Sequence, residues 1–364
     1  MNPALWTALL LAATAAAMLL PLAPALIEWW RKTDTAPLRV VREQDTNIRH
    51  FAHSFCEQVS AIFERHGITA STPGAPFDEV WKGADRFHYT GTSIHPSLNE
   101  EELRTHLCNR LILAVAKLVL PDNMVFEQEI YAGGDLHTSR RNTLRTVYSG
   151  RRLSLGENTT IARWAHSCGP MRAAAGCRLY GRLSSDTLIA LDPGVQFERL
   201  NAPIVQAGET WTARPPVSQR PLKSWIPGRD MHALDEKTIL VPGNLKIGRG
   251  TRVDSSLVTR GSLQIAPGAI VTGSLKANGR LRIGAGTVVQ GAIISKGPLR
   301  LDPGCRIHGP IISETSITIT ADCQVGNASH PTTVSAPLIT LHGGCRVLGS
   351  VWASRAGRVV PAAQ

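Results

Sequence analysis

The chain is poor in aromatic residues, in acidic residues and in cysteine pairs. Aromatics are only 5% of the 364 residues while Gly is 32 and Pro 23, so the core must be filled mainly by aliphatic and small side chains. Seven cysteines, an odd number without a regular CxxC pair, fit reduced thiols better than a disulfide framework. No GxxxxGK[ST] loop, and no GxGxxG between a strand and a helix, provides a place for nucleotide chemistry. The composition favours a repetitive β architecture.

The deficit of acidic residues leaves the chain strongly basic. Lys and Arg number 39 against 28 Asp and Glu, which gives a net charge of +11. Such a charge suits an anionic surface, either the cytoplasmic leaflet of a membrane or nucleic acid. Charge alone does not choose between these two surfaces.

The first thirty residues favour the membrane. Residues 4–27 carry no charge, and about 20 apolar residues are enough to cross a bilayer as a helix. We therefore predict a transmembrane anchor over residues 4–30, with interfacial aromatic residues and a following cationic flank: Trp6, Trp29, Trp30, Arg31 and Lys32. Because the cationic flank follows the span, the bulk of the chain is expected in the cytoplasm. A cleaved signal peptide is the alternative, since "APA" at residues 23–25 resembles a cleavage site, but no Lys or Arg precedes the apolar run.

A helical region is predicted over residues 41–120. Its first helix has apolar residues at steps of three and four, followed by Gly67 as a stop: Ile48, Phe51, Ala52, Phe55, Val59, Ile62 and Phe63. A second helix is predicted from a capping box of Ser97 and Glu100 to the residue before Pro121.

An 18-residue repeat replaces the helical period further along the chain. Equivalent apolar residues recur at this spacing, and at 22 residues before the last of them: Leu153, Met171 and Ile189, then Leu245, Leu263, Leu281, Leu299, Ile317 and Ile339. Alternating apolar and polar residues with turn glycines at a fixed spacing predict short strands that stack coil on coil. The fold class is therefore mainly β, a parallel β-helix with 18-residue coils. We expect blocks over 135–207 and 239–355, a Pro-rich linker or excursion over 208–238, and a tail over 356–364.

The repeat also assigns the cysteines to the core. Cys177, Cys305, Cys323 and Cys345 take a place that small residues hold in other coils, so we predict a buried ladder of small side chains rather than a redox or metal site. His50, His53 and Cys56 lie at i, i+3 steps, but a fourth metal ligand is missing, so a polar helix flank is the favoured interpretation. No catalytic, cofactor or metal residue is predicted.

Two other functions remain as alternatives. The phrases "IGRGTR" and "IGAGTV" are similar to those of hexapeptide-repeat acyltransferases, for which His308, His330 or His342 would be the candidate base. Those enzymes form a three-faced prism with an aliphatic residue at a fixed position on each face. The third face does not fit this pattern here, because Ala277, Ser295 and other small residues occupy its aliphatic position. The second alternative is a basic binding module for an anionic polymer.

The coil phrase L-x-I-x-x-G-x-x-V-x-G-x-I resembles that of the bactofilins, a family of polymer-forming bacterial cytoskeletal proteins. The similarity covers mainly residues 239–351 and more weakly residues 153–205. It implies a right-handed β-helix that assembles end to end into nonpolar filaments without nucleotide or other cofactor. It also implies a place at the bacterial inner membrane, beside cell-wall or envelope proteins, and a scaffold role in cell shape rather than an enzyme. The added anchor, helices and earlier block leave two roles open: a free polymer, or a membrane-bound adaptor or cap.

Self-assembly is expected on physical grounds as well. The end coils of a β-solenoid expose unpaired strand edges and the end of an apolar column, which must be capped or joined. The C-terminal tail shows no amphipathic capping helix, so the predicted joining surface is the last coil, with Ile339, Leu341, Val347 and Val351. The expected partners are further copies of the chain and the membrane, and nucleic acid is not expected.

Overall fold

The computed structural model describes residues 3–20, 50–80, 86–208, 222–228 and 230–362. The chain divides into two compact units, Met1–Asn47 and Ile48–Gln364. The described part of the first unit holds helix α1 (Pro3–Leu19), on which Trp6 is exposed. No helix among the described residues has both the length and the apolar character that a membrane span requires. The second half of the predicted anchor, with Trp29, Trp30, Arg31 and Lys32, lies outside the described residues.

The described residues of the second unit form two helices and 33 strands. The helices are α2 (His50–Arg65) and α3 (Glu100–Thr105). The strands up to the Pro-rich segment are β1 (Phe77–Val80), β2 (Arg86–Tyr89), β3 (Leu107–Cys108), β4 (Leu111–Ala114), β5 (Leu118–Val119), β6 (Val125–Ala132), β7 (Leu136–His137), β8 (Thr143–Ser149), β9 (Leu153–Leu155), β10 (Thr160–Ser167), β11 (Met171–Ala173), β12 (Arg178–Ser185), β13 (Leu188–Leu191) and β14 (Gln196–Ala207). The later strands are β15 (Lys223–Ser224), β16 (His232–Ala233), β17 (Thr238–Val241), β18 (Leu245–Ile247), β19 (Thr251–Val253), β20 (Ser256–Thr259), β21 (Leu263–Ile265), β22 (Ile270–Val271), β23 (Leu275–Ala277), β24 (Leu281–Ile283), β25 (Val288–Val289), β26 (Ile293–Ser295), β27 (Leu299–Leu301), β28 (Arg306–Ile307), β29 (Ile311–Ser313), β30 (Ser316–Ile319), β31 (Gln324–Val325), β32 (Thr332–His342) and β33 (Arg346–Val360).

The strands stack as a β-solenoid of about 13 parallel coils. The prediction of a mainly β fold built as a parallel solenoid is therefore confirmed. The predicted repeat is the observed register: Leu245 pairs with Leu263 and Met171 with both Leu153 and Ile189. Across the 22-residue step, Ile317 still pairs with Ile339. At a coil spacing of about 4.8 Å, the stack is roughly 60 Å long.

The predicted core ladder lies inside the solenoid. Every member is less than one-tenth exposed: Leu245, Leu263, Leu281, Leu299, Ile317, Cys305, Cys323 and Cys345. The Cys177 thiol donates to the Gly156 carbonyl at 3.1 Å, and burial raises the pKa of Cys177 to about 11. Burial also raises the pKa of Cys345. Cys177 and Cys345 are therefore protonated at neutral pH and act as small apolar side chains.

In each coil, the turn after one of the strands, such as β18, β21 or β24, has one residue with a left-handed backbone conformation. Gly250, Gly268 and Gly286 occupy it with φ of 61°, 71° and 65°, and Asp322 occupies it with φ of 58° two coils beyond Gly286. Glycine adopts this conformation without strain, and aspartate tolerates it better than most residues with a Cβ. The repeated glycine of the coil phrase is therefore a requirement of the turn.

The predicted second helix is wrong. Helix α3 is only six residues long, with Asn99 rather than Ser97 as its N-cap, and the chain from Leu107 onward forms β3, β4 and β5. All four residues of β4 are buried, because Ile112 and Ala114 face the solenoid core while Leu111 and Leu113 pack under α2. A strand buried on both faces reads as a continuous apolar run, which periodicity does not distinguish from a helix.

Helix α2 lies along one outer column of the solenoid. The column runs through registered positions of successive coils: Tyr89, Leu113, Tyr131, Tyr148, His166 and Ser184. Phe63 contacts Tyr89 with ring centroids 5.8 Å apart, and Phe55 contacts Trp164 at 5.7 Å. The predicted α2 face is confirmed from Ala52 to Phe63, but Phe51 is exposed, and Ile48 lies outside the described residues.

The two blocks of coils join tail to tail. Strand β14, the last coil of the first block, pairs antiparallel with β33, the last coil of the second, so that Val205 opposes Val347 and Leu200 opposes Val351. Asn201 donates to the Ser350 hydroxyl at 2.8 Å across this junction. A single apolar core runs through both blocks. Both outer ends of the rod are consequently the N-terminal coils of their blocks.

A pair of adjacent valines tests the core assignment. Val289 is fully buried between Val271 and Ile307, whereas Val288 on the same strand is half-buried on the outer face. Val289→Asp is expected to cost about 4 kcal/mol, because a carboxylate there has no water and no partner. Val288→Asp is expected to leave the fold intact. Urea unfolding followed by circular dichroism measures both, and equal midpoints for the two variants would contradict the inward assignment of Val289.

Candidate functional site: the ends of the rod

The predicted joining surface lies inside the rod. Ile339, Leu341, Val347 and Val351 are all buried. Strand β14 pairs with Val347 and Val351, and the end of β33 pairs with Ile339 and Leu341, so residues 356–360 are strand rather than the predicted tail. The expectation of a free C-terminal coil is wrong because the first block of the same chain already pairs with that edge. An antiparallel junction between segments so distant in the chain leaves no periodic signal in the sequence. Association through this coil would require β14 to be displaced.

One end of the rod is closed by residues 86–106. Strand β2 pairs with the outer edge of β4, and the Val119 N–H of β5 donates to the Ile94 carbonyl at 2.7 Å. Leu98 packs against the end of the apolar core, and α3 follows it. The outer edges of β4 and β5 are therefore covered and Leu98 packs on the apolar core, whereas β3 pairs only with β6 among the described residues.

A buried ionic network fastens this closed end. Arg110 donates to both carboxylate oxygens of Glu102, at 2.8 and 2.7 Å, and to Asp78 at 2.7 Å. Arg110 also donates to the Ser97 carbonyl at 2.9 Å. Burial by itself would raise the pKa of Glu102, but the hydrogen bonds from Arg110 and Asn99 and the charge of Arg110 outweigh it and lower the pKa. The network ties the β1–β2 hairpin, helix α3 and the first coil together.

The other end of the rod is the first coil of the second block. Its three strands are β17, β18 and β19, of which β16 covers the first and β15 the third. Among the described residues, β18 pairs only with β21, on its inner edge. The Leu245 N–H donates to the Ser262 carbonyl of the next coil at 2.9 Å. Because successive residues of a strand direct their backbone groups to opposite edges, the N–H and C=O of Lys246 point away from the stack of coils. Strand β18 thus presents an open edge.

The cover of this open end is thin and apolar. Trp225 and Met231 pack against the core from the segment that the sequence assigned to a linker. Ile226 and Leu234 of the same segment are 82% and 57% exposed. An open strand edge beside exposed apolar side chains is a surface suited to protein contact. Periodicity did not reveal this end, because the segment before residue 238 does not follow the repeat.

The candidate bases of the acyltransferase alternative are His308, His330 and His342. None of them lies in the segments that form the two ends of the rod. His308 and His330 are exposed, and His342 is half-buried at the end of β32. Comparison of the chain with protein-family models, with curated proteins and with solved structures found no match in any of the three. The fold and its two ends are therefore the features that bear on function, and the bactofilin resemblance rests on the coil phrase.

The closed end provides a pH-dependent test. Glu102→Gln keeps the shape but removes the charge that pairs with Arg110, so we expect a loss of about 2 kcal/mol at neutral pH. Folding lowers the pKa of Glu102. The stabilisation that the Glu102–Arg110 pair provides is therefore present above the ordinary glutamate pKa and is lost as pH falls through the lowered value. The difference between wild type and variant should therefore shrink in acid. Amide hydrogen exchange over β3–β5 at pH 7 and in acid measures it, and a difference independent of pH would contradict the charged pair.

Proposed function

We propose that the chain is a membrane-tethered, non-catalytic scaffold that associates with a second copy through the open β18 end of its rod. The observation that carries the proposal is the asymmetry of the two ends. One end has a covering strand, a helix and the Arg110 network. At the other end, no described strand pairs with the outer edge of β18, and the covering segment exposes Ile226 and Leu234. An unpaired strand edge is a template for pairing with another chain, and a covered edge is not.

The internal junction supports this kind of contact. The β14–β33 pairing joins the ends of two coil stacks antiparallel, within one continuous core. Two copies that meet through β18 would form a similar antiparallel junction about a two-fold axis, with the same surface contributed by each copy. The solenoid architecture therefore accommodates end-to-end joining without a change of fold.

The asymmetry also limits the size of the assembly. A rod with one open end forms pairs, or terminates another polymer, and does not propagate a filament by itself. Of the two roles that the bactofilin resemblance leaves open, this favours the adaptor or cap over the free polymer. Organisation of cell-envelope machinery at the inner membrane is then the task that we assign to the assembly.

The membrane tether rests on the sequence. Residues 4–27 carry no charge, a cationic flank follows them, and the net charge of +11 suits the anionic cytoplasmic leaflet. Deletion of residues 1–30 is expected to move the protein from the membrane pellet to the supernatant. A reporter fused after Gln364 should be active in the cytoplasm. Periplasmic activity of that reporter, or membrane retention of the deletion variant in high salt, would contradict the tether.

The open edge is tested at Lys246. Lys246→Pro removes the outward N–H of β18 and leaves the inward hydrogen bond of Leu245 in place, so self-association should be lost while circular dichroism is unchanged. Lys246→Ala removes the same charge but keeps the N–H, and it should associate as the wild type does. Analytical ultracentrifugation of the full chain in detergent gives the size of each.

Three results would overturn this proposal. They are a wild-type monomer across the micromolar range, a Lys246→Pro variant that associates normally, or wild-type filaments that grow beyond two rods. Electron microscopy of the same samples distinguishes paired rods from filaments. A steep loss of association with salt would instead favour the binding module for anionic polymers.

A further inference from the structure

The fold gathers a histidine, a cysteine and an aspartate beside helix α2. The Nε2 atom of His166 lies 3.9 Å from Sγ of Cys168 and 3.9 Å from Oδ2 of Asp186. One ligand atom from each of the three residues lies within 4.8 Å of the others. The cluster is separate from both ends of the rod.

The coil repeat produces this arrangement. Cys168 and Asp186 take the same place in successive coils, where each N–H donates to the carbonyl one coil earlier, of Ser149 and Ser167 respectively, at 3.0 Å. His166 lies on the outer column that continues into Ser184. Residues from two coils are thus held on one surface by the backbone ladder, as a metal site requires.

Thiolate, imidazole and carboxylate are the ligands that zinc prefers. With Zn–S of about 2.3 Å and Zn–N of about 2.0 Å, a tetrahedral site places the sulfur and nitrogen ligands about 3.5 Å apart. The carboxylate oxygen and the imidazole nitrogen would then be about 3.3 Å apart. The two observed 3.9 Å separations exceed these values by about half an ångström, and the Cys168 sulfur and the Asp186 carboxylate lie within 4.8 Å of each other, so the three ligands must draw together to bind zinc.

A second layer of contacts orients the ligands. The His166 ring is only 2% exposed, and its Nδ1 lies 2.8 Å from the Ser184 hydroxyl. When Nδ1–H donates to that hydroxyl, the lone pair of Nε2 faces Cys168 and Asp186. The Tyr148 hydroxyl lies 3.3 Å from the Cys168 sulfur, and the His53 ring of α2 lies 6.3 Å from the His166 ring.

We propose that His166, Cys168 and Asp186 form a zinc site with three protein ligands on the side of the solenoid beneath α2, in which water takes the fourth tetrahedral position. This inference is independent of the proposed end-to-end association. The sequence by itself predicts no metal here, because Cys168 lies in a turn and belongs to no CxxC pair. The signal of the site in the sequence is the 18-residue step from Cys168 to Asp186.

The test uses the metal-stripped full chain in detergent, titrated with Co²⁺ and then with Zn²⁺. We expect one Co²⁺ per chain, with a thiolate-to-cobalt charge-transfer band and the strong visible bands of tetrahedral cobalt, displaced by stoichiometric Zn²⁺. Cys168→Ser should abolish the charge-transfer band. Ser184→Ala, which removes only the orienting hydroxyl, should weaken binding by about 10-fold to 100-fold.

Two matched controls separate this site from other thiols. Cys108→Ser and Cys177→Ser should keep the wild-type cobalt spectrum, because both thiols lie in the solenoid core and neither belongs to the trio. Asp186→Asn, at the exposed side of the cluster, should lose affinity while circular dichroism stays native. Absence of a stoichiometric band in the wild type, or its persistence in Cys168→Ser, would overturn the site. The wild-type titration decides the question even if a variant does not fold.

Discussion

The structure depends on the hydrogen-bond ladder and apolar contact that each coil shares with the coils on either side. No coil is stable alone, because a single three-strand coil buries its inward face only against its neighbours. The register is kept by the inward alternation and by left-handed turn positions such as Gly250 and Gly268. An interior coil satisfies both of its edges, so function and interaction concentrate where this ladder stops or where another element covers it.

Each of the two blocks has a first and a last coil, and these four coils are covered in three different ways. The tails of the two blocks pair with each other through β14 and β33. The start of the first block is closed by β2, α3 and the Arg110 network, in which buried charges are paired and hydrogen-bonded. At the start of the second block, the outer edge of β18 has no partner strand in the described part of the chain. A rod with one closed and one open end is suited to a terminal or paired position in an assembly, which is the basis of the proposed adaptor role.

The outer column under α2 shows how the ladder also builds sites on the side of the rod. Where α2 packs, the column is aromatic, with Tyr89, Tyr131 and Tyr148. Near the N-terminus of α2 it changes to His166 and then Ser184. Because successive coils align equivalent positions, a cysteine and an aspartate one period apart become neighbours, and the proposed zinc site follows from that alignment.

The 18-residue period, the inward ladder from Leu245 to Ile317, the buried cysteines and the α2 face were readable in the sequence, because each depends on local alternation or on a repeat between adjacent coils. The strands of residues 107–119 were not, since β4 is buried on both faces and carries no period. The covering of the C-terminal coil by β14, the open edge of β18 and the meeting of His166 with Asp186 beneath α2 were decided only by tertiary structure. The physical reason is that strand pairing between segments far apart in the chain, and the side of a coil that a helix covers, depend on which surfaces remain exposed after the coils have stacked.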